Sequence, residues 1–133
     1  MLVSDIMTRN VLTVSPDASV QDIAWGLRIR GVSGAPVKDG EGHVLGIVSR
    51  TDLNNPDRVG ESAAESGQTT AGEAMTPALF AVRDTDTVLD AAKRMVETGT
   101  HRLVVVDDAG KLVGIVTTMD VLRCYVTRGG SLE

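Results

Sequence analysis

"GIVSRTD" fills residues 46–52, and 68 residues later "GIVTTMD" fills residues 114–120. Gly, two aliphatics, a hydroxyl, two variable positions and Asp recur in that order. Sliding the chain by 68 aligns residues 4–53 with 72–121 without a gap and gives 14 identities in 50 positions. Met7/Met75, Thr8/Thr76, Asp22/Asp90, Gly31/Gly99, Asp39/Asp107 and Gly46/Gly114 are among them. Chance would give roughly 3–4 at ordinary residue frequencies. The chain is a duplication, and its halves are expected to fold alike.

Working outward from the closing motif, each half reads the same way. A short turn ends in Met-Thr, and a brief extended piece follows (Val11–Val14; Leu79–Val82). Ser19 and Asp22, like Thr87 and Asp90, have the spacing of a capping box at a helix start. Val20, Ile23, Ala24 and Leu27 mark one helical face, matched by Val88, Ala91, Ala92 and Met95. Gly31 and Gly99 suit the left-handed residue just past the helix. Two strands are predicted next: Ala35–Lys38 then Val44–Ser49, and Leu103–Val106 then Leu112–Thr117. A second helix begins near Thr51 and near Met119. The pattern predicts an α/β (α+β) fold made of tandem β-α-β-β-α repeats. Repeat 1 covers 1–54 and repeat 2 covers 69–127, with a polar linker at 55–68 and a flexible tail at 128–133. A half of about 60 residues is marginal alone, so the halves are expected to pack with pseudo-two-fold symmetry.

Composition narrows the function. The chain has 133 residues and a net charge of −5, against a phosphate-tracking nucleic-acid surface. Trp25, Phe80 and Tyr125 are its only aromatics, which argues against a base-stacking platform. No apolar run approaches the ~20 residues that span a bilayer. Cys124 is the single cysteine, so neither an internal disulfide nor a CxxC metal site can form. It sits in an apolar stripe with Val121, Leu122 and Tyr125, a core pattern. A cytoplasmic protein without metal or membrane partner is expected. No nucleophile elbow, Walker loop or HExxH is present, so no catalytic residues are assigned and an enzyme is not expected.

Ser49-x-x-Asp52 and Thr117-x-x-Asp120 also fit capping boxes at the start of the closing helix. Capping explains the hydroxyl and the acid. It does not call for Gly at a fixed distance before them, which suits a bulge or a close backbone contact.

The doubled pattern resembles the CBS-domain superfamily. The Met-Thr openings, "GAPVKD" (34–39), "LVVVDD" (103–108) and the two closing motifs carry the resemblance. "THRLVVVDDAGKLVGIVTTMDVL" (100–122) is similar to a repeat in the gamma subunit of AMP-activated protein kinase. The resemblance implies a regulatory module that senses adenosine compounds such as AMP, ADP or ATP in clefts between its repeats. It implies that Asp52 and Asp120 accept ribose hydroxyls, a role suited to a carboxylate. Ser49 and Thr117 would lie near phosphate, beside N–H groups at a helix start. Its pockets are crossed. One joins Ser49, Arg50, Thr51 and Asp52 to His101 and Arg102, a pair implied to meet phosphate. The other joins Thr117, Thr118 and Asp120 to Ser33, Gly34 and Ala35, where cations are missing. With no fused effector in these residues, output is expected to pass through another protein.

Trp25 and Ile29 fall opposite the core face of their helix, where repeat 2 has Lys93 and Glu97. They are the expected homodimer contact. The competing function is a ligand-independent dimerisation or interaction module, in which the closing motifs only cap helices.

Overall fold

The computed structural model describes residues 1–53, 70–77 and 81–133, without the side chains of Asp52, Thr76 and Pro77. The expected linker at 55–68 lies outside the described residues, as do Leu79 and Phe80. In chain order the elements are α1 (Val3–Ile6), α2 (Val20–Arg30), β1 (Gly34–Lys38), β2 (Val44–Ser49) and α3 (Arg50–Leu53). Then come α4 (Ala71–Ala74), β3 (Thr76–Pro77), β4 (Ala81–Arg83), α5 (Val88–Thr98), β5 (Arg102–Val106), β6 (Leu112–Thr117) and α6 (Thr118–Thr127). The mixed α+β architecture is the one the duplication predicts.

The local signals work as expected. Ser19 Oγ accepts the Asp22 N–H at 3.1 Å. Thr87 and Asp90 close their box in both directions, at 3.0 and 3.3 Å. Both 11-residue helices stop at a left-handed glycine, Gly31 (φ 65°) and Gly99 (φ 69°). A side chain there would be strained, so the duplicated glycines are helix stops.

The chain divides into two compact units that do not follow the sequence repeats. One unit is Met1–Val11 with Phe80–Glu133, and the other is Leu12–Leu79. Each contains a three-stranded sheet, β4-β5-β6 and β1-β2-β3 respectively. The reason lies in the Met-Thr openings. Thr8, from repeat 1, bridges to Ile115 of repeat 2, with mutual N–H to C=O bonds of 2.8 and 3.0 Å. Thr76, from repeat 2, pairs with Ile47 of repeat 1. Leu2 and Thr87 form a bridge, as do their equivalents Thr70 and Ser19. The leading segment of each repeat is thus built into the unit that holds the other repeat's strands.

Each unit has its own core. Val3 and Met7 of the exchanged segment pack with Met95, Leu103, Val105 and Val116. Ala71 and Ala74 pack with Ile23, Leu27, Val37 and Val48. Gly114 is where the Met-Thr segment crosses: a Cβ there would lie 2.7 Å from Thr8 O and 2.9 Å from Met7 Sδ. The glycine of the second closing motif is therefore required by a close backbone approach, one of the two expected reasons.

Three side chains depart from the expected core faces. Ala24, expected on the core face of α2, is exposed, because Ile23 and Leu27 already fill that side. Leu122 and Tyr125 are exposed, and only Val121 and Cys124 of their stripe are buried. Residues at 119, 122 and 126 turn away from the core by the helical period. Residues 128–133, the expected tail, make local bonds and one apolar contact. The Gly130 N–H donates to Tyr125 O at 2.8 Å, Arg128 Nη2 donates to Glu133 O at 2.6 Å, and Leu132 packs against the core.

Candidate ligand-binding site

Thr117 ends β6 in an extended conformation (φ −116°, ψ 165°) and caps α6. Its Oγ1 accepts the Asp120 N–H at 3.2 Å, and its own N–H donates to Asp120 Oδ2 at 2.8 Å. The capping reading of the second motif is therefore realised in both directions. The box also holds a mostly buried carboxylate at a helix start, with Oδ1 left out of the cap.

Strand pairing brings further residues to this point. Arg102 and Thr117 are partners in the β5–β6 register, so their side chains share a sheet face. The Thr118 N–H donates to His101 O at 2.9 Å. His101, Arg102, Thr117, Thr118 and Asp120 thus converge within one unit; His101 is exposed and Arg102 half-buried.

The other unit repeats the backbone but not the chemistry. Gly34 and Ser49 are register partners, and the Arg50 N–H donates to Ser33 O at 2.9 Å. Ala35 is buried opposite Val48, while Arg50 and Thr51 are exposed. Asp52 belongs to α3, and its side chain lies outside the described residues. Backbone bonds therefore join each closing motif to the first strand of its own repeat. The crossed pairing implied by the resemblance links residues of different units.

Sequence reasoning missed Arg123. Its Nη1 lies 3.5 Å from Asp120 Oδ1, an i,i+3 pair on α6. The "DVLR" spacing was the available signal.

Among the described residues, one group could bring metal-ligand atoms together: Asp39, Glu41 and His43, within 4.8 Å of one another. The turn between β1 and β2 accounts for Asp39. Its Oδ1 accepts the N–H groups of Glu41 and His43 at 2.9 and 3.0 Å, as Asp107 Oδ1 accepts those of Ala109 and Lys111. The His43 bond foremost holds the Asp39 carboxyl below its ordinary value, against the opposing effect of desolvation. His43 Nδ1 sits 3.7 Å from Asp39 and 3.6 Å from Glu41. No helix among the described residues is long and apolar enough to cross a membrane.

Residues 3–55 and 71–127 both match the family model for the CBS domain. The chain belongs to the CBS-domain family. CBSX2, a chloroplastic CBS domain-containing protein of Arabidopsis thaliana, is 33% identical over 147 residues, covering 91% of this chain and 62% of that protein. The crystal structure of CBSX2 in complex with AMP matches with a TM-score of 0.84 and 36% identity, covering 96% of this chain and 98% of that one. The CBS pair of MJ0100, solved with 5′-methylthioadenosine and S-adenosyl-L-methionine, matches with a TM-score of 0.79 and 26% identity, over 96% and 98% of the two chains. An inosine-5′-monophosphate dehydrogenase of Halobacterium salinarum is 36% identical over 114 residues, 86% of this chain but 22% of that enzyme. This chain spans 22% to 62% of the length of these two protein relatives.

Proposed function

We propose that this CBS pair is a non-catalytic regulatory module that binds an adenosine nucleotide, AMP, ADP or ATP, and signals to a partner protein. The observation that carries this reading is the AMP complex of CBSX2, which covers nearly the whole of both chains. The adenosine-type ligands of MJ0100 support the same class. Asp52 and Asp120 are the ribose acceptors in this reading. Ser49, Arg50, Thr51, His101 and Arg102 are further ligand contacts in this reading, as are Thr117, Thr118, Ser33, Gly34 and Ala35. The chemistry fits: Asp120 Oδ2 takes part in the cap of α6 and Oδ1 does not, so ribose binding and capping do not compete for one atom. We read the location as cytoplasmic, since a buried free thiol, Cys124, suits a reducing compartment.

A thermal-shift series with AMP, ADP, ATP and adenosine tests the reading. At 100-fold over the dissociation constant, a ligand adds ~2.7 kcal/mol. The melting temperature should then rise by roughly 8–13 °C, at about 3–5 °C per kcal/mol for a chain of this size. A flat response to all four, confirmed by calorimetry, would leave the closing motifs as helix caps only.

The second reading, a dimerisation module, has its own observation. Trp25 and Ile29 are 63% and 65% exposed on the outer face of α2. An exposed Trp with an aliphatic neighbour is the composition of an interface centre, where a Trp can contribute 2 kcal/mol or more. We propose a homodimer through this face, compatible with nucleotide binding. Trp25→Lys with Ile29→Glu copies the surface of α5. Sedimentation velocity should find the parent protein dimeric and the double variant a folded monomer; an unchanged dimer would take α2 out of the interface.

A further inference from the structure

The second closing motif has a neighbour that helix capping does not use. Asp120 is mostly buried, with 12% of its side chain exposed, whereas Arg123 is 67% exposed. Oδ2 of Asp120 accepts the Thr117 N–H at 2.8 Å, and Oδ1 faces Arg123 Nη1 at 3.5 Å. One carboxylate is therefore split between Oδ2, committed to the cap, and Oδ1, within ion-pair distance of a cation. In repeat 1 the equivalent position is Asn55, which carries no charge.

We infer that Arg123 is a specificity-determining residue of the second motif, pairing with Oδ1 of Asp120 and turning to a ligand's anionic group when one binds. The inference rests on the reading of Asp120 as a ribose acceptor. A ribose hydroxyl that approaches Oδ1 must share it with the guanidinium, so a bare nucleoside gains little there. A phosphate offers the guanidinium a bidentate acceptor and releases Oδ1 to the sugar. An exposed ion pair is weak, so leaving Asp120 costs Arg123 little. The motif then favours phosphorylated adenosine ligands over adenosine itself. The competing account is an i,i+3 surface pair that only supports α6. That account predicts a small change in stability and none in selectivity.

Titration calorimetry with AMP and adenosine separates the two. The parent carries Asp52→Asn, so that the second motif is read alone, and Arg123→Gln and Arg123→Lys are compared in that background. Arg123→Gln should weaken AMP about tenfold, the loss of one charged hydrogen bond. It should strengthen adenosine by about 2–3-fold, the release of an exposed pair. Arg123→Lys should recover part of the AMP loss. An unchanged ratio of the two affinities in Arg123→Gln overturns the inference. Asp120→Ala in the same background guards the underlying reading. Loss of both ligands keeps Asp120 as the ribose acceptor whatever Arg123 does, and retention of both removes that role and Arg123's with it.

Discussion

The two compact units share a backbone plan and differ in what they hang on it. Helices α2 and α5 have the same length, the same kind of cap and the same glycine stop. The turns at Asp39 and Asp107 make the same two side-chain bonds. Both sheets take in a Met-Thr segment from the other repeat. The differences fall elsewhere. Trp25 and Ile29 stand where Lys93 and Glu97 stand, and Ser33-Gly34 stand where His101-Arg102 stand. The caps, glycine stops and exchanged Met-Thr segments common to the units belong to folding, and what separates the units sits on exposed helix faces and beside the closing motifs. A duplicated fold can keep one set of packing constraints while its halves specialise at positions that packing leaves open.

The shared part should be the most costly to disturb. Leu27 and Met95 are equivalent and buried, at 0% and 5% exposure. Leu27→Ala and Met95→Ala should each cost about 2–5 kcal/mol in urea unfolding. A cost at one position and none at the other would break the equivalence of the two cores.

The next effect sharpens the difference. Arg102→Ala should weaken AMP by about 1.5–3 kcal/mol, roughly 10–150-fold, and adenosine much less. Gly34→Arg tests the converse, since Gly34 is the equivalent position beside Ser49. Equal losses of AMP and adenosine in Arg102→Ala would remove the phosphate role and with it the functional asymmetry.

Gly114→Ala addresses the exchange of segments. The new methyl meets Thr8 O, a backbone atom that cannot swing aside, so the expected loss is about 1–3 kcal/mol. Amide exchange should speed up at Thr8 and Ile115 first. A neutral substitution would mean that the Met-Thr segment does not lie against Gly114.

The smallest effect is a pH term at the first turn. Asp39 has a folded-state value below its ordinary one, so its contribution is present above the unfolded value and is lost as pH falls through the folded value. Asp39→Asn should be less stable than the parent at pH 7, and the gap should close below about pH 4. A gap independent of pH would assign the turn's stability to shape rather than charge.

Much of this architecture was legible in the chain because it rests on local chemistry. Caps at Ser19, Thr87 and Thr117 and stops at Gly31 and Gly99 act within one helical turn. The strands β2 and β6 fall where their aliphatic runs predict. The candidate site was legible only in part. Thr117 and Asp120 announced themselves by spacing, whereas Arg123 did not, because an i,i+3 pair gains meaning only once Asp120 Oδ1 is seen to face it. Ala24, Leu122 and Tyr125 were misplaced because an apolar side chain does not record which neighbour, if any, covers it.

By itself the sequence determined the duplication, the order of helices and strands, the caps and the family to which the chain belongs. Tertiary structure alone decided that Thr8 pairs with Ile115 and Thr76 with Ile47. The physical reason is the duplication itself. Met7-Thr8 and Met75-Thr76 are identical, and so are the Gly-Ile-Val runs that receive them. Either opening segment has the hydrogen-bonding groups to pair with either closing strand. The choice between them depends on where the chain must run between its elements, which side-chain chemistry does not encode.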